Sequence, residues 1–465
     1  MKRRLSEVNS SSLILYSSAL TEHPASPSLA GRAPKPSHDV PGEDIVKEKA
    51  KPILVIGGGI AGMTAAVEAA EVGYRVILVE KEAYLGGRVI RTHRYFPKMC
   101  PPTCGFEINV RRIRQNPRIT VHTLATVEDI SGSVGDFKAR IRIRPRYVTG
   151  EYSLDGSVTE RLTSERVNDF NLGMDKTKAL YLPHDMAYPP VYVLDREALS
   201  EADAGTLQAA CPPGVIDLDM KEEEIEVEAG AVIVATGWRP YDAAKLDNLG
   251  FGLCQNVITN VMMERMAAEG GPTGGEIIRP SDGKKAENVA FVQCAGSRDE
   301  NHLPYCSAVC CMASLKQARY VREKNEDSKA TVFYIDIRTI GSLEKFYYDM
   351  LEDENVAFVK GKVAKIGEEA ESKDLLLDVE DTLSGETLHD RFDMVVLATG
   401  VVPNTADAKI LFELGYDEYG FVDGATDVAG VYAAGCAKRP CDVSRATKEA
   451  TAAALRAIQC LNGGD

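Results

Sequence analysis

The chain has 465 residues, a net charge of −15 and a hydrophobic content of 44%. This length can hold about two or three domains with a sizeable core. The acidic balance argues against nucleic-acid binding, because a phosphate-binding surface needs clustered Lys and Arg. No stretch approaches the roughly 18 consecutive apolar residues of a membrane span. Eleven cysteines without a recognisable signal peptide indicate redox or metal chemistry before structural disulfides.

Residues 1–50 differ in composition from the remainder of the chain. They are rich in Ser, Pro and charged residues, and the basic start at Lys2 is followed by a segment too polar for a signal-peptide core. This composition predicts a disordered tail or a mis-assigned start.

A dinucleotide-binding β–α–β unit is predicted directly after this tail. The apolar strand 53–56 leads into a Gly-x-Gly-x-x-Gly sequence and an Ala-rich helix. Gly57 allows the tight turn, Gly59 lets the backbone approach a pyrophosphate, and Gly62 lets helix and strand pack closely. The alternative is a plain β–α–β turn. The complete strand, glycine and helix pattern favours the dinucleotide site.

The residues after the second strand of this unit favour FAD over NAD. Glu80 ends that strand and can accept hydrogen bonds from the adenosine ribose. Gly86, Gly87 and Arg88 follow, in the position where flavoproteins with two dinucleotide-binding domains carry a second glycine pair against FAD.

Three later segments match the same flavoprotein pattern. Two buried-strand runs end in Ala-Thr-Gly, at Gly237 and at Gly400, and a third strand ends at Gly435. An Ala-rich helix over 445–454 follows the third strand, and its N-terminus would stabilise negative charge on a reduced flavin. We therefore expect all three glycines to contribute to the FAD site.

The mid-chain unit that would bind NAD(P)H lacks its glycine loop. The strand 288–293 is followed by four cysteines spaced C-x11-C-x3-C-C, namely Cys294, Cys306, Cys310 and Cys311. Losing the glycines argues against nicotinamide binding. Four thiolates can hold an iron–sulfur cluster. The alternatives are small buried hydrophobic residues or a zinc site, although adjacent cysteines suit tetrahedral zinc poorly.

A second cysteine pair, Cys100 and Cys104, follows the FAD fingerprint. It is similar to the redox disulfide of pyridine-nucleotide disulfide reductases, although that pair is normally spaced C-x4-C or C-x2-C. A redox pair, cluster ligands and a packed loop all remain open, and we expect a position near the flavin.

From Lys51 to Leu461 the chain resembles the A-subunit family of heterodisulfide reductases. The segment 292–318 (VQCAGSRDENHLPYCSAVCCMASLKQA) is similar to that family's cluster-binding signature, and 116–148, 271–284 and 334–348 also match. The resemblance implies a [4Fe-4S] cluster on the four mid-chain cysteines. It also implies FAD bound by Gly57, Gly59, Gly62, Glu80, Gly86, Gly87 and Arg88.

The chain departs from the larger family members after Val148. Those members carry a ferredoxin-type insertion with runs of Cys, whereas 149–210 contains no Cys here. The chain is most similar to the short A-type subunits of quinone-modifying oxidoreductase complexes. This implies partner subunits, including a membrane quinone-interacting one, with adenylylsulfate reductase as a further partner. It also implies a cytoplasmic location, peripheral to the inner membrane through those partners.

The resulting hypothesis is an oxidoreductase subunit that passes electrons from FAD to a nearby cluster and on to partner subunits. Lys316, just beyond the cysteines, could pair with reduced flavin, or it could lie on a solvated helix face. The alternatives are the A-type component of a thiol/disulfide (heterodisulfide) reductase, a free-standing NAD(P)H-dependent disulfide reductase using Cys100 and Cys104, and a non-enzymatic subunit with structural FAD.

The predicted fold is α/β, with two Rossmann-like domains of the disulfide-reductase flavoprotein type and a loop-rich insertion. After the tail, the FAD-binding domain is assigned to three parts, 51–134, 225–284 and 390–465. The cysteine-cluster domain is assigned to 285–389, and a degraded ferredoxin-like insertion to 135–224.

Overall fold

The structure is a computed structural model that describes residues 50–149, 156–409, 414–423 and 428–463. The tail predicted over 1–50 therefore lies outside the described residues, apart from Ala50. The helices of the described residues are α1 Ile60–Glu71, α2 Thr103–Gln115, α3 Gly156–Glu160, α4 Glu201–Ala210, α5 Asn260–Ala267, α6 Cys310–Lys324, α7 Glu344–Leu351 and α8 Val443–Leu461.

The strands of the described residues are β1 Ile53–Ile56, β2 Val76–Val79, β3 Ile119–His122, β4 Ala125–Ser133, β5 Asp136–Ile143, β6 Glu165–Val167, β7 Lys176–Lys178, β8 Leu180–Tyr181, β9 Val193–Leu194, β10 Glu223–Ala229, β11 Ala231–Val234, β12 Trp238–Pro240, β13 Val257–Thr259, β14 Asn288–Ala295, β15 Lys329–Tyr334, β16 Val356–Glu368, β17 Leu375–Asp381, β18 Thr387–Phe392, β19 Met394–Thr399, β20 Val401–Pro403 and β21 Val431–Ala433.

The first sheet is parallel and has the order β21-β11-β1-β2-β3. Its central strands β1 and β11 are buried on both faces, which their unbroken apolar sequences require. The helices α1 and α8 present alanines to the same core, including Ala66, Ala69 and Ala453. Small side chains let these helices lie close to the sheet. Because the strands are parallel, the carboxyl ends of β1, β11 and β21 lie at the same edge of the sheet.

The second sheet has the order β13-β19-β14-β15-β16-β17-β18. Strands β13 to β16 are parallel, and β17 and β18 add an antiparallel edge. Strands β13 and β19 lie within 225–284 and 390–465, the segments that the sequence predicts for the FAD domain. Both strands instead pair in this second sheet. Those two boundaries are corrected accordingly. A fully buried run ending in Ala-Thr-Gly is equally suited to either sheet, so its sequence did not reveal its partner strand.

Two further features connect and cover the sheets. The short antiparallel ribbon of β12 and β20 pairs Trp238 with Pro403, and it links the chain segments that pass between the two sheets. The segment predicted as an insertion over 135–224 contributes β5 and the start of β10 to a three-stranded sheet, β10-β5-β4. It also has its own small core, which includes Leu180, Leu207 and Cys211. None of the helices in the described part of the chain combines the length and apolarity that a bilayer crossing requires.

Candidate functional site

The turn between β1 and α1 has the backbone geometry expected of a phosphate-binding turn. Gly57 has a φ of 105°, and a Cβ there would lie 2.3 Å from the Ala235 carbonyl oxygen. A Cβ on Gly62 would lie 1.7 Å from the Gly57 carbonyl oxygen. At Gly59, by contrast, the nearest atom to an added Cβ is the Gly87 Cα, 3.9 Å away. Gly57 and Gly62 are thus required by packing, whereas the space beside the Gly59 Cα is open to a ligand.

A cleft of about 310 Å³ lies at this turn, at the carboxyl ends of the first sheet's strands. Ligands of open α/β sheets bind at this edge. The predicted FAD residues that line the cleft are Gly57, Gly59, Glu80, Gly87, Arg88 and Gly237.

The remaining predicted glycines are not among the cleft-lining residues. Gly62 packs on the turn, and an added Cβ on Gly86 would lie 3.0 Å from Ile90 and Phe106 atoms. Gly435, with a φ of 62°, faces Ala61 and Ala446. Gly400 lies elsewhere, against the Ser297 and Leu303 side chains of the cysteine-bearing loop, because its strand β19 belongs to the second sheet.

The Glu80 carboxylate is held in one orientation by two backbone donors. Its Oε2 accepts a hydrogen bond from the Gly58 N–H at 2.6 Å, and its Oε1 accepts one from the Glu82 N–H at 2.8 Å. The side chain is buried, and burial raises the pKa of Glu80 to about 7 despite these two donors. Further donors, such as ribose hydroxyls, would favour the ionised form.

The opposite wall of the cleft combines a buried cation with a helix N-terminus. The Arg88 Nε donates to the Trp238 carbonyl oxygen at 3.2 Å, and the guanidinium lies 5.5 Å from the indole centroid. Burial lowers the pKa of Arg88 to about 10, so it remains a cation at neutral pH. Helix α8 begins at Val443, capped by Asp442, which accepts a hydrogen bond from the Arg445 N–H at 2.7 Å. Both features favour anionic ligand groups.

Sequence reasoning missed several other residues of this cleft. They are Trp238, Arg239, Asn404, Cys436 and Cys441. The first three follow strand ends that only the fold brings together. The two cysteines did carry a signal, since they form a C-x4-C pair directly after Gly435, which follows β21.

The four mid-chain cysteines gather at the carboxyl edge of the second sheet. Cys294 lies near the end of β14 with a φ of 57°, Cys306 lies in the loop 296–309, and Cys310 and Cys311 begin α6. The Cys310 thiol donates to the Thr399 carbonyl oxygen at 3.6 Å, and the Cys311 thiol donates to the Asp336 carbonyl oxygen at 3.7 Å. All four cysteines are free thiols.

Neighbouring sulfur atoms are close enough to disfavour the ionised forms of Cys294 and Cys310. Burial raises the pKa of Cys294 to about 11, and negative charge on Cys311 and Cys306 raises it further. Burial also raises the pKa of Cys310, with added repulsion from the other three sulfurs. A bound cation would stabilise the ionised forms of these buried thiols.

The donor chemistry of this loop suits iron or zinc, but the side chains are not preorganised. Within the described residues, no group of three or more His, Cys, Asp or Glu side chains is arranged to hold a metal ion. Metal binding would therefore require the four thiols to turn towards a common point.

The loop 296–309 occupies the position where a nicotinamide-binding domain of this fold carries its glycine turn. It is tied to β20 by the Ser307 Oγ, which lies 2.7 Å from the Ser297 Oγ and accepts from the Val401 N–H at 2.9 Å. A Cβ on Gly296 would lie 2.6 Å from the Tyr241 ring. A small cavity of about 80 Å³ remains beside this strand end, and Cys294, Gly296 and Ser297 are among the residues that line it.

Lys316 lies in a buried polar network. Its Nζ is 3.0 Å from the Glu264 Oε1 and donates to the Arg94 carbonyl oxygen at 2.5 Å. The same carboxylate accepts hydrogen bonds from Gln317 at 2.7 Å and from the His93 N–H at 3.0 Å. Lys316 is therefore not on a solvated helix face. It is also not among the residues that line the cleft, and Glu264, its partner, was not anticipated from the sequence.

Cys100 and Cys104 also lie outside the set of cleft-lining residues. Cys100 pairs with Tyr95 through a backbone hydrogen bond of 3.2 Å, and Cys104 is exposed in the first turn of α2. Burial raises the pKa of Tyr95, and the nearby Cys100 and Cys104 sulfurs raise it further. Both thiols thus lie near one tyrosine hydroxyl at the surface.

Comparison with known proteins identifies the family. Residues 52–237 match the model of the FAD dependent oxidoreductase family. The chain is 37% identical over 431 residues to the A-subunit of the ferredoxin/F(420)H(2)-dependent CoB-CoM heterodisulfide reductase of Methanosarcina acetivorans, covering 89% of this chain and 53% of that protein. A-subunits of heterodisulfide reductases thus match about nine tenths of this chain, which supports the predicted family.

A second relative is the first iron-sulfur A-subunit of the CoB--CoM heterodisulfide reductase of Methanopyrus kandleri, 38% identical over 439 residues, with 90% of this chain and 65% of that protein covered. The chain spans about half to two thirds of the length of these two family members. The predicted family and the FAD-binding oxidoreductase class are confirmed.

Solved structures confirm the predicted fold class of this family member. Thioredoxin reductase from T. acidophilum superposes with a TM-score of 0.50 at 14% identity, covering 88% of this chain and 98% of that one. Thioredoxin reductase from Lactococcus lactis also gives a TM-score of 0.50, covering 89% and 99%. At this identity the likeness establishes the fold alone.

Proposed function

We propose that the chain is an FAD- and [4Fe-4S]-containing electron-transfer subunit of a heterodisulfide-reductase-like complex. The observation that carries the proposal is the gathering of Cys294, Cys306, Cys310 and Cys311 where the nicotinamide glycine turn would be. Bound flavin supplies two-electron exchange, and a cluster on these four cysteines would supply one-electron transfer. The iron–sulfur name of the Methanopyrus kandleri relative supports this assignment.

The short ribbon of β12 and β20 supports electron transfer between the two sites. Trp238 of β12 lines the cleft, whereas Val401 of β20 accepts a hydrogen bond from the Tyr305 hydroxyl of the cysteine loop at 2.8 Å. A single ribbon thus contacts both regions. In this proposal, the chain holds both groups in fixed relation, excludes water from the thiols by burying Cys310 and Cys311, and directs Arg88 and the N-terminus of α8 at the flavin.

The finer proposal concerns the partners. We propose that the complex moves electrons between the quinone pool and adenylylsulfate reductase in dissimilatory sulfur metabolism, through a membrane quinone-interacting subunit. The absence of cysteines from residues 149–210 supports this assignment, because it matches the short members of the family. The chain would then be cytoplasmic and held at the inner membrane by its partners.

The cluster is tested by metal analysis of the full chain prepared without oxygen. We expect about four iron and four acid-labile sulfide per FAD, as a [4Fe-4S] cluster requires. Cys306→Ser and Cys310→Ser should each lose most of the iron while keeping the flavin. Cys254→Ser is the matched control, since Cys254 is a buried thiol in the core of the second sheet. A yellow protein without iron, or equal iron in all variants, would overturn the proposal.

The second candidate is a component of a thiol/disulfide reductase, which the names of the relatives favour. The two candidates differ in the oxidant that accepts electrons from the native complex. The complex would be reduced, and reoxidation of its flavin by a menaquinone analogue would be compared with reoxidation by a thiol heterodisulfide. Faster reoxidation by the quinone supports the first candidate, and faster reoxidation by the heterodisulfide supports the second.

A free-standing NAD(P)H-dependent disulfide reductase would use Cys100 and Cys104 as its redox pair. Rapid anaerobic bleaching of the isolated flavoprotein by NADH or NADPH, lost in Cys104→Ser, would favour that activity. We expect no rapid bleaching, because the loop 296–309 lacks the glycine turn that binds nicotinamide phosphates.

A further inference from the structure

Two cysteines that the proposed electron transfer does not use lie side by side in the wall of the flavin cleft. The Cys436 Sγ is 3.8 Å from the Cys441 Sγ and 3.5 Å from the Cys441 carbonyl oxygen. Both residues line the cleft, and both are free thiols. Cys436 lies in a short 3-10 turn after β21, and Cys441 directly precedes the N-cap of α8. The pair is therefore held between two fixed elements.

We propose that Cys436 and Cys441 are a redox-active pair that closes to an intramolecular disulfide in the cleft wall. A disulfide needs the sulfurs at about 2.05 Å. From 3.8 Å the two sulfurs must approach each other by roughly 1.8 Å to bond. The oxidant we assign is a small-molecule disulfide of the glutathione type, to which Cys436 is partly exposed.

The two thiols differ in a way that assigns their order of reaction. Cys436 is half-buried, whereas Cys441 is 7% exposed. A hydrogen bond from the Cys441 thiol lowers the pKa of Cys436, and the same contact raises the pKa of Cys441. The more exposed residue is thus also the better nucleophile, since the thiolate is the reactive form. Cys436 attacks first, and Cys441 resolves the adduct.

The reaction balances in two steps. The Cys436 thiolate attacks one sulfur of the small disulfide, which forms a mixed disulfide and releases one small thiolate. The Cys441 thiolate then attacks the Cys436 sulfur, which forms the internal S–S bond and releases the second small thiolate. The two cysteines lose two electrons and two protons in total, and the small disulfide becomes two thiols. The reverse exchange with small thiols reopens the pair.

This inference is independent of the iron–sulfur proposal. Its sulfurs belong to the first sheet's cleft, whereas Cys294 and its three companions lie at the second sheet. An iron-free chain could still form the 436–441 disulfide, and an iron-loaded chain could lack it. The two failures are therefore distinguishable by separate measurements, iron content and disulfide mapping.

The experiment maps disulfides in the full FAD-loaded chain after equilibration in buffers of oxidised and reduced glutathione. The samples are acid-quenched, alkylated and digested after lysine. Lys438 lies between the two cysteines, so digestion leaves them on separate peptides joined only by the disulfide. We expect the linked peptides in oxidised glutathione and two separately alkylated peptides in reduced glutathione.

Variants test the order of attack. Cys441→Ser should accumulate a stable glutathione adduct on Cys436, because no resolving thiol remains. Cys436→Ser should show several-fold less adduct on the buried Cys441, and Cys460→Ser, a cysteine later in α8, should still form the linked peptides. Full alkylation of both cysteines in oxidised glutathione, or a link from Cys436 to a different cysteine, would overturn the proposal. If a variant fails to fold, disulfide mapping of the wild-type chain still tests whether Cys436 and Cys441 form a disulfide.

Discussion

The Glu264 carboxylate and the Lys316 ammonium lie 3.0 Å apart, with each side chain only 7% exposed. They come from α5 and α6, which cover one face of the second sheet. A buried charge that loses its partner is strongly destabilising, because its desolvation is no longer offset. This relationship makes Lys316 part of the folded core, whatever its effect on the flavin.

Removing this cation should destabilise the protein. We expect Lys316→Ala to lower the free energy of unfolding by about 3–5 kcal/mol, since Glu264 would be left buried without its partner. The double variant Lys316→Met with Glu264→Gln should recover part of this loss. Lys345→Ala, whose side chain is 80% exposed, should change stability by less than about 0.5 kcal/mol. Denaturant unfolding measures all three, and equal effects for Lys316→Ala and Lys345→Ala would contradict the buried-pair account.

The flavin potential tests whether Lys316 also acts on the cofactor. A cation that acts on the cofactor stabilises anionic reduced flavin, so in that role Lys316→Ala should make the midpoint potential more negative. The expected shift is about 30 mV or more, which is a tenfold change in a two-electron equilibrium. Lys316→Arg retains the charge and should shift the potential less. A spectroelectrochemical titration that finds no shift in Lys316→Ala would leave the residue a purely structural role.

Gly59 and Gly62 lie at the start of α1. Adding a methyl group should affect FAD affinity at Gly59 and stability at Gly62. Gly59→Ala should fold normally but bind FAD at least about tenfold more weakly, because its Cβ would enter the open space near the pyrophosphate position. Gly62→Ala should instead lose about 1–3 kcal/mol of stability, since its Cβ would meet the Gly57 carbonyl oxygen.

The control for this pair is Gly205→Ala in α4, where an added Cβ meets nothing within 4 Å. It should be stabilising by about 0.5–1 kcal/mol, as alanine is the better helix former. FAD titration and thermal unfolding distinguish the two glycine effects. Equal FAD affinity in Gly59→Ala and wild type would contradict the predicted role of Gly59.

Flavin affinity should depend on pH through Glu80. Its folded pKa, about 7, lies above the ordinary value of 4.5, so the folded apoprotein holds a proton that the unfolded chain releases. Apoprotein stability should therefore fall as pH rises from 4.5 to about 7, by about 3 kcal/mol in all. Ribose hydroxyls that donate to the carboxylate favour its ionised form, so FAD should bind more tightly as pH rises through 7.

Below pH 7 the affinity should weaken by up to about tenfold per pH unit. Fluorescence titration of the apoprotein with FAD between pH 5.5 and 8 (a range chosen about the pKa) measures this dependence. Glu80→Gln should remove it, whereas Glu107→Gln, an exposed residue paired with Arg111 on α2, should retain it. A pH-independent affinity in the wild type would exclude ribose contact by an ionised Glu80.

The local parts of this protein could be predicted from its amino-acid sequence alone. The glycine spacing after β1, the acid at Glu80 and the apolar strands depend on backbone conformation and on periodicity over a few residues. These are short-range properties that a single segment specifies. For the same reason, the sequence also revealed that the second glycine turn is missing and that four cysteines replace it.

How distant segments of the chain meet could not be predicted and was established by the folded structure. It assigned β13 and β19 to the second sheet, because a strand buried on both faces has no sequence feature that selects its neighbour. It paired Lys316 with Glu264, and it brought Cys436 and Cys441 to the wall of the flavin cleft. Those contacts depend on packing between elements far apart in the chain, and no local pattern of residues encodes the distance between them.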